Sequence, residues 1–239
     1  MGYPELTVCI AALYGSGQGA VLASDRMVTA HIPMGYEFER LEDPKILRLL
    51  DESSIYVLFA GDVLRGHEVL EATRQQLKGD GNPSVSETTE VIRSIYQEIR
   101  RTTIVHKEIE PRGLTLDEFK ETQQQLHPTV VQVIDQALAN ADLGVEILVA
   151  GANEENYNIY TVSNPGTVTD HRGIGYGAIG SGAPHALVSF IEKSYTPSMT
   201  REEVTEIVKG AKSRSEVAPG VGEATTILVI PDKGDAGHD

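Results

Sequence analysis

Seven histidines, one cysteine and a run of glycines are where chemistry would first be sought in this 239-residue chain. The histidines are scattered and Cys9 is alone, so the sequence shows no metal-ligand spacing and implies no metal or cofactor. His67-Glu68 lacks a second histidine one helical turn on, which removes the zinc-peptidase pattern. Asp170-His171 would be two members of a serine-histidine-aspartate arrangement, but nothing marks a serine to complete it. The passage Gly173-Ile-Gly-Tyr-Gly-Ala-Ile-Gly-Ser-Gly182 has the glycines of a phosphate-cradling loop without the Gly-Lys-Ser/Thr ending. Cys9 stands inside an apolar run, where a thiol is expected in the core. Taken singly, Thr7 reads as a strand residue, Asp25 as a turn residue, Lys45 as a solvated charge at a strand start and Ser181 as a turn former.

The bulk properties exclude several function classes. Acidic residues outnumber basic ones 35 to 20, a net charge of −15, and such a field repels phosphate; no nucleic-acid partner is expected. No apolar run reaches the ~18 residues of a membrane span, and the opening Met1-Gly2-Tyr3-Pro4-Glu5-Leu6 lacks the basic and apolar regions of a secretory signal. A single cysteine cannot form an intrachain disulfide and suits a reducing cytoplasm.

The elements that must position any site begin with strands. Thr7–Leu13 and Ala20–Ala23 are apolar runs joined by Gly15-Ser16-Gly17-Gln18-Gly19, which predicts a hairpin. Both runs are nearly continuously apolar, so both faces of this sheet are expected to be covered. Lys45–Leu50 and Ile55–Ala60, around Asp51-Glu52-Ser53-Ser54, predict a second hairpin. A helix follows from near Asp62, with Val63, His67, Leu70 and Leu77 on one face. Ser84-x-x-Glu87 and Thr115-x-x-Glu118 are capping boxes opening further helices, and Val131, Ile134 and Leu138 predict another after Pro128. Strands return at 145–150, 157–162 and 167–170, helices at 184–193 and 200–212 (boxed by Thr200 and Glu203), and a last strand at 225–230. Residues 231–239 read as a frayed polar tail. This order predicts an α+β fold of two packed antiparallel sheets with helices outside, in a single domain over 1–239 without repeat or linker.

Five short motifs, taken in order, change how the isolated residues read. Thr7-Val-Cys-Ile-Ala-Ala-Leu-Tyr, a turn, and Gly19-Ala-Val-Leu-Ala-Ser-Asp25-Arg26 resemble the opening of proteasome β subunits and their bacterial homologues, the Anbu-type and HslV-type peptidases. Lys45 in Asp43-Pro44-Lys45-Ile46-Leu47, Ala60-Gly61-Asp62, and Ala178-Ile-Gly-Ser181-Gly182 resemble that family's lysine strand, first-helix turn and auxiliary-serine turn. The resemblance spans about Thr7 to Ile230 and implies the four-layer αββα sandwich of N-terminal-nucleophile (Ntn) hydrolases. It further implies a threonine-type peptidase with Thr7 as nucleophile, Asp25 and Lys45 tuning it, Ser181 assisting, and an oxyanion held by N–H groups near Phe59–Gly61. The base would be the threonine's own α-amine, an ordinary group titrating near pH ~8 that a neighbouring ammonium makes more acidic. Implied partners are further copies in a ring or other homo-oligomer, and a regulatory ATPase or proteasome-like subunit; no membrane is implied.

Four features depart from that pattern. Leu6 stands before Thr7 where self-processing members carry glycine, so 1–6 is a propeptide or an N-terminal extension. The aspartate expected near Ser215 or Ala218 is absent, and Leu58 stands near a position where the family keeps glycine. Residues 112–144 form a helical insertion longer than the family's. Two other functions therefore remain open: a non-catalytic, α-subunit-like assembly component, and an Ntn amidohydrolase or acyl transferase acting on small substrates.

Overall fold

The computed structural model describes residues 7–30, 36–39, 45–50, 53–78, 81–153 and 155–230. Residues 1–6, expected as a propeptide or N-terminal extension, the residues Asp43-Pro44 and Asp51-Glu52, and the expected polar tail 231–239 lie outside the described residues. Strands β1 (Cys9–Tyr14) and β2 (Gly19–Asp25) form the first hairpin, with Cys9 opposite Ser24 and Tyr14 opposite Gly19. Among the described residues, strand β3 (Met27–Ala30) pairs only with β4 (Tyr36–Glu39). Strands β5 (Ile46–Arg48) and β6 (Tyr56–Gly61) form the second predicted hairpin.

Helix α1 (Val63–Leu77) starts at Asp62, whose carboxylate accepts from the N–H groups of Leu64 and Arg65. Helix α2 (Val85–Ile104) starts at the predicted Ser84–Glu87 box and continues through a π-helical turn, Val105–Ile109, and a 3-10 turn, Glu110–Arg112. Helices α3 (Leu116–Thr122) and α4 (Pro128–Ala139) follow, the first opened by the Thr115–Glu118 box. Strands β7 (Val145–Ala152), β8 (Tyr157–Ser163), β9 (Thr167–Asp170) and β10 (Tyr176–Ile179) lead to α5 (Ala183–Glu192). Helix α6 (Arg201–Ser215), capped by Thr200 and Glu203, and strand β11 (Thr225–Ile230) complete the order.

Two antiparallel sheets dominate, β10-β1-β2-β11 and β5-β6-β7-β8-β9. Alternation along their strands divides the core into three layers. In β1, Cys9, Ala11 and Leu13 point between the sheets, to Leu22, Leu58, Leu148 and Ile159, while Ile10 and Ala12 face helices α5 and α6 beside Phe190, Val204 and Val208. In β6 and β7, Val57, Phe59, Ile147 and Val149 turn outward to meet Val69, Leu70, Ile92 and Tyr96 of α1 and α2. The result is the four-layer αββα sandwich, and it explains why these strands lack a polar face. Ile10, Leu22, Leu58 and Leu148 are each fully buried, a burial that stabilises by about 1.5–3 kcal/mol per side chain relative to exposure.

The segment expected as an insertion at 112–144 forms a small core of its own, Ile109, Phe119 and Ile134. Ile109, from the π-helical turn that follows α2, also belongs to this small core. Arg100 anchors it to α2, donating to the carbonyls of Leu138 and Ala141 at 2.8 Å each.

Candidate active site

Thr7 immediately precedes β1 and is 3% exposed. Asp25 ends β2, the neighbouring strand, so the hairpin register brings the two residues to the same end of the sheet. Asp25 N donates to Val8 O at 3.2 Å and Val8 N donates to Asp25 Oδ1 at 3.2 Å, which fixes the carboxylate beneath Thr7. Lys45 arrives from the other sheet, one residue before β5. Its Nζ lies 2.8 Å from Asp25 Oδ1 and also donates to Thr7 Oγ1, while that hydroxyl donates to Asp25 Oδ1. Asp25 is fully buried and Lys45 is 8% exposed. The structure thus joins hydroxyl, carboxylate and ammonium in one buried triangle; a charged pair this deep persists because each ion neutralises and hydrogen-bonds the other.

Ser181 approaches from a third direction, the turn between β10 and α5. Thr7 N donates to Ser181 Oγ at 3.3 Å. Thr7 O in turn accepts from Ser181 Oγ at 3.4 Å and from Gly182 N at 3.2 Å. This grip needs glycine at 180: its φ is +88°, and a Cβ there would lie 2.4 Å from Thr7 O. Gly180 N donates to Glu146 Oε2 at 2.9 Å, so a carboxylate from β7 secures the turn. The sequence reading missed Glu146, although a charge inside the apolar run Val-Glu-Ile-Leu-Val-Ala is a signal that could have drawn notice. It also missed Gly222, whose N–H donates to Asp25 Oδ2 at 3.1 Å. Backbone donors of this kind leave no mark in residue type.

The segment Phe59–Gly61 follows Leu58, the partner of Ile46, which is the residue after Lys45. Strand β6 pairs with β5 only up to Leu58, opposite Ile46, and with β7 through Gly61. Among the described residues, the pairing of β6 with β5 ends at Leu58. Cys9 Sγ reaches Phe59 O at 3.5 Å across the sheets. Burial pushes the Cys9 thiol up to about 12, against the opposing pull of Lys45, so it remains an inert core group.

The weaker constellations do not assemble. His171 Nε2 lies 3.1 Å from Thr161 Oγ1, while Asp170 pairs with Arg172 at 2.6 Å, and among the described residues no serine hydroxyl is hydrogen-bonded to that histidine. Among the described residues no group of three or more histidine, cysteine, aspartate or glutamate side chains is placed to hold a metal ion. No described helix is long and apolar enough to cross a membrane. Ser215 and Ala218, near which the resemblance placed an aspartate, are buried structural positions: Ser215 Oγ donates to Ala211 O at 2.7 Å, and Ala218 packs under α6.

Comparison with known proteins agrees with this architecture. The family model for the proteasome subunit matches residues 116–214, from α3 to the end of α6. Proteasome subunit beta 1 of Desulfurococcus amylolyticus is 28% identical over 127 residues, 53% of this chain and 61% of that protein. Proteasome subunit beta of Methanopyrus kandleri is 30% identical over 87 residues, 36% of this chain and 40% of that protein. The chain thus spans less than two thirds of the length of either relative. The matched family region contains Ser181 and its turn but not Thr7, Asp25 or Lys45.

Proposed function

We propose that this chain is a β-type proteasome-like subunit that hydrolyses peptide bonds of unfolded polypeptides with Thr7 as nucleophile. The observation that carries the reading is the Thr7 hydroxyl held between the Asp25 carboxylate and the Lys45 ammonium. While Leu6 remains attached, the Thr7 nitrogen is an amide and cannot accept a proton. Cleavage of the Leu6–Thr7 bond converts it to an α-amine beside Ser181.

The reaction then follows from the positions of the groups. The amine takes the Thr7 hydroxyl proton, directly or through a water held by Ser181, as Oγ1 attacks the substrate carbonyl carbon. The Lys45 ammonium, paired with Asp25, stabilises the developing charge on Oγ1 and favours the neutral form of the nearby amine. N–H groups of Phe59–Gly61 receive the oxyanion. Collapse of the tetrahedral intermediate breaks the C–N bond; the ammonium formed from the base gives its proton to the leaving amine, leaving an ester on Thr7. Water, deprotonated by the same amine, hydrolyses that ester and regenerates the hydroxyl. The working form is a ring or other homo-oligomer, a reading supported by exposed Leu64 on α1 and Ile191 on α5.

Intact mass and turnover test this together. A preparation that cleaves a fluorogenic peptide should have lost residues 1–6, and Thr7→Ala should lose turnover while keeping its circular dichroism. Turnover by the full-length chain, or by the alanine variant, would remove the amine mechanism. Leu6 in place of glycine favours a second reading, an unprocessed assembly subunit; it predicts a full-length, inactive chain that co-purifies with a catalytic homologue.

A further inference from the structure

A second buried cation lies behind Asp25, and the reaction above does not use it. Lys212, on α6, is 1% exposed. Its Nζ donates to Glu216 Oε1 at 2.7 Å, Gly222 O at 2.5 Å and Glu223 O at 2.8 Å. An ammonium has three N–H donors, and three acceptors surround this one. All three acceptors belong to the segment that carries the chain from α6 to β11. Lysine is almost never fully buried unless paired, and here the pairing falls largely on backbone.

That same segment reaches the site at two points. Gly222 N donates to Asp25 Oδ2 at 3.1 Å, and Pro219 O lies 3.5 Å from Ser181 Oγ. Farther on, Arg26 N donates to Ala224 O at 3.2 Å, joining the segment to the residue after Asp25. Lys212 therefore holds the carbonyl of the residue whose N–H holds the carboxylate. The other oxygen of that carboxylate faces Thr7 and Lys45.

We propose that Lys212 is a positioning residue, a tethered internal cation that locks the Gly222 backbone so that Asp25 keeps the orientation the Thr7 hydroxyl requires. It touches neither substrate nor nucleophile and acts through Gly222 and Asp25. The proposal rests on the peptidase reading of Thr7. It predicts that removing the ammonium slows the chemical step and leaves substrate binding nearly unchanged, because the altered contact lies behind the site.

The test is Lys212→Met in the full chain, which keeps an unbranched stem of similar length and removes all three donors. The expected result is a fall in kcat of about tenfold with KM within about twofold, the scale of a small misplacement of catalytic groups. Hydrogen–deuterium exchange should rise in peptides covering 216–224 and stay unchanged in α1 and α2. An unaltered kcat, or kcat and activity losses that merely track the unfolded fraction, overturns the proposal. If Lys212→Met does not fold, Glu216→Gln is measured instead; it weakens one anchor of the ammonium and should raise exchange in 216–224 and lower kcat about threefold. No change in either would overturn the proposal equally. Should the wild-type chain show no Thr7-dependent turnover, the peptidase reading fails by itself; the exchange experiment still decides whether Lys212 orders the segment, and unchanged exchange refutes it.

Discussion

Thr7 and Phe119 are 3% and 4% exposed, yet their surroundings are assembled in opposite ways. The partners of Thr7 stand 18, 38 and 174 positions away, at Asp25, Lys45 and Ser181. They come from a strand end in one sheet, a strand start in the other, and the turn before α5. Phe119 packs on Ile109 of the π-helical turn before α3 and on Ile134 of α4, elements near its own in the chain. The first arrangement exists only after both sheets have paired and stacked; the second needs little beyond its own helices. Regions built from local contacts can open without the whole fold opening, whereas a site spanning both sheets opens only with them. The geometry at Thr7 should therefore be insulated from the helical segment and sensitive to its own distant partners.

The sharpest way to break that contrast is at the ion pair. Lys45→Met should lower turnover about 10³-fold and leave Asp25 as an uncompensated buried charge, costing about 3–5 kcal/mol in urea unfolding. Adding Asp25→Leu should restore much of the stability and none of the turnover, since apolar pairs often replace buried ions without loss. A double variant no more stable than Lys45→Met would show that the carboxylate serves the fold in other ways.

Cys9 reports on the opening of the same corner. Burial pushes its thiol up to about 12, so the reactive thiolate is rare in the folded protein. Labelling by an aromatic disulfide should therefore be far slower than in urea-unfolded chain, and its rate should follow global unfolding. Fast labelling of the native protein would place an opening between the sheets that leaves the rest folded.

Ile134→Ala approaches the contrast from the other side. It should cost about 2–5 kcal/mol, confined to the helical segment, with faster deuterium exchange across 105–139. Turnover should stay within about twofold, and Cys9 labelling should not change. A collapse of turnover would mean that the segment supports the site, and the separation drawn above would be wrong.

The smallest effect concerns His171, between β9 and β10, where the chain crosses from one sheet to the other. Burial lowers the proton affinity of its imidazole, against the pull of Asp170 and a backbone hydrogen bond with Tyr176. The folded state then binds fewer protons than the unfolded one. This contribution to stability is fully present above the ordinary value of 6.5 and is lost as pH falls toward the folded pKa. His171→Gln should flatten the stability–pH curve just below pH 6.5 relative to wild type, read by thermal melts at stepped pH. Parallel curves for the two proteins would remove His171 as the cause.

Much of the fold was legible from short-range pattern. The boxes at Ser84, Thr115 and Thr200 each cap the helix they announced, and the first two hairpins and the last strand fall where apolar runs placed them. Strand β10 was not read, because Tyr176-Gly-Ala-Ile179 lies in a glycine-rich passage and becomes a strand by pairing with β1. Strands β3 and β4 were not read from the sequence either. At the site, Thr7, Asp25, Lys45 and Ser181 were named through the order of their motifs; by residue type alone each had a commoner structural reading.

What sequence alone determined, then, is where the capped helices and the apolar hairpins lie and that the strands of those hairpins are covered on both faces. Capping, alternation and glycine-rich turns act over a few residues, and composition records them directly. Tertiary structure alone decided that a carboxylate fully removed from water would meet an ammonium from the opposite sheet, that Glu146 would secure the Gly180 turn, and that the backbone of Gly222 would hold Asp25. Those contacts depend on how two sheets stack and on backbone N–H groups that every non-proline residue carries, so no local pattern encodes them.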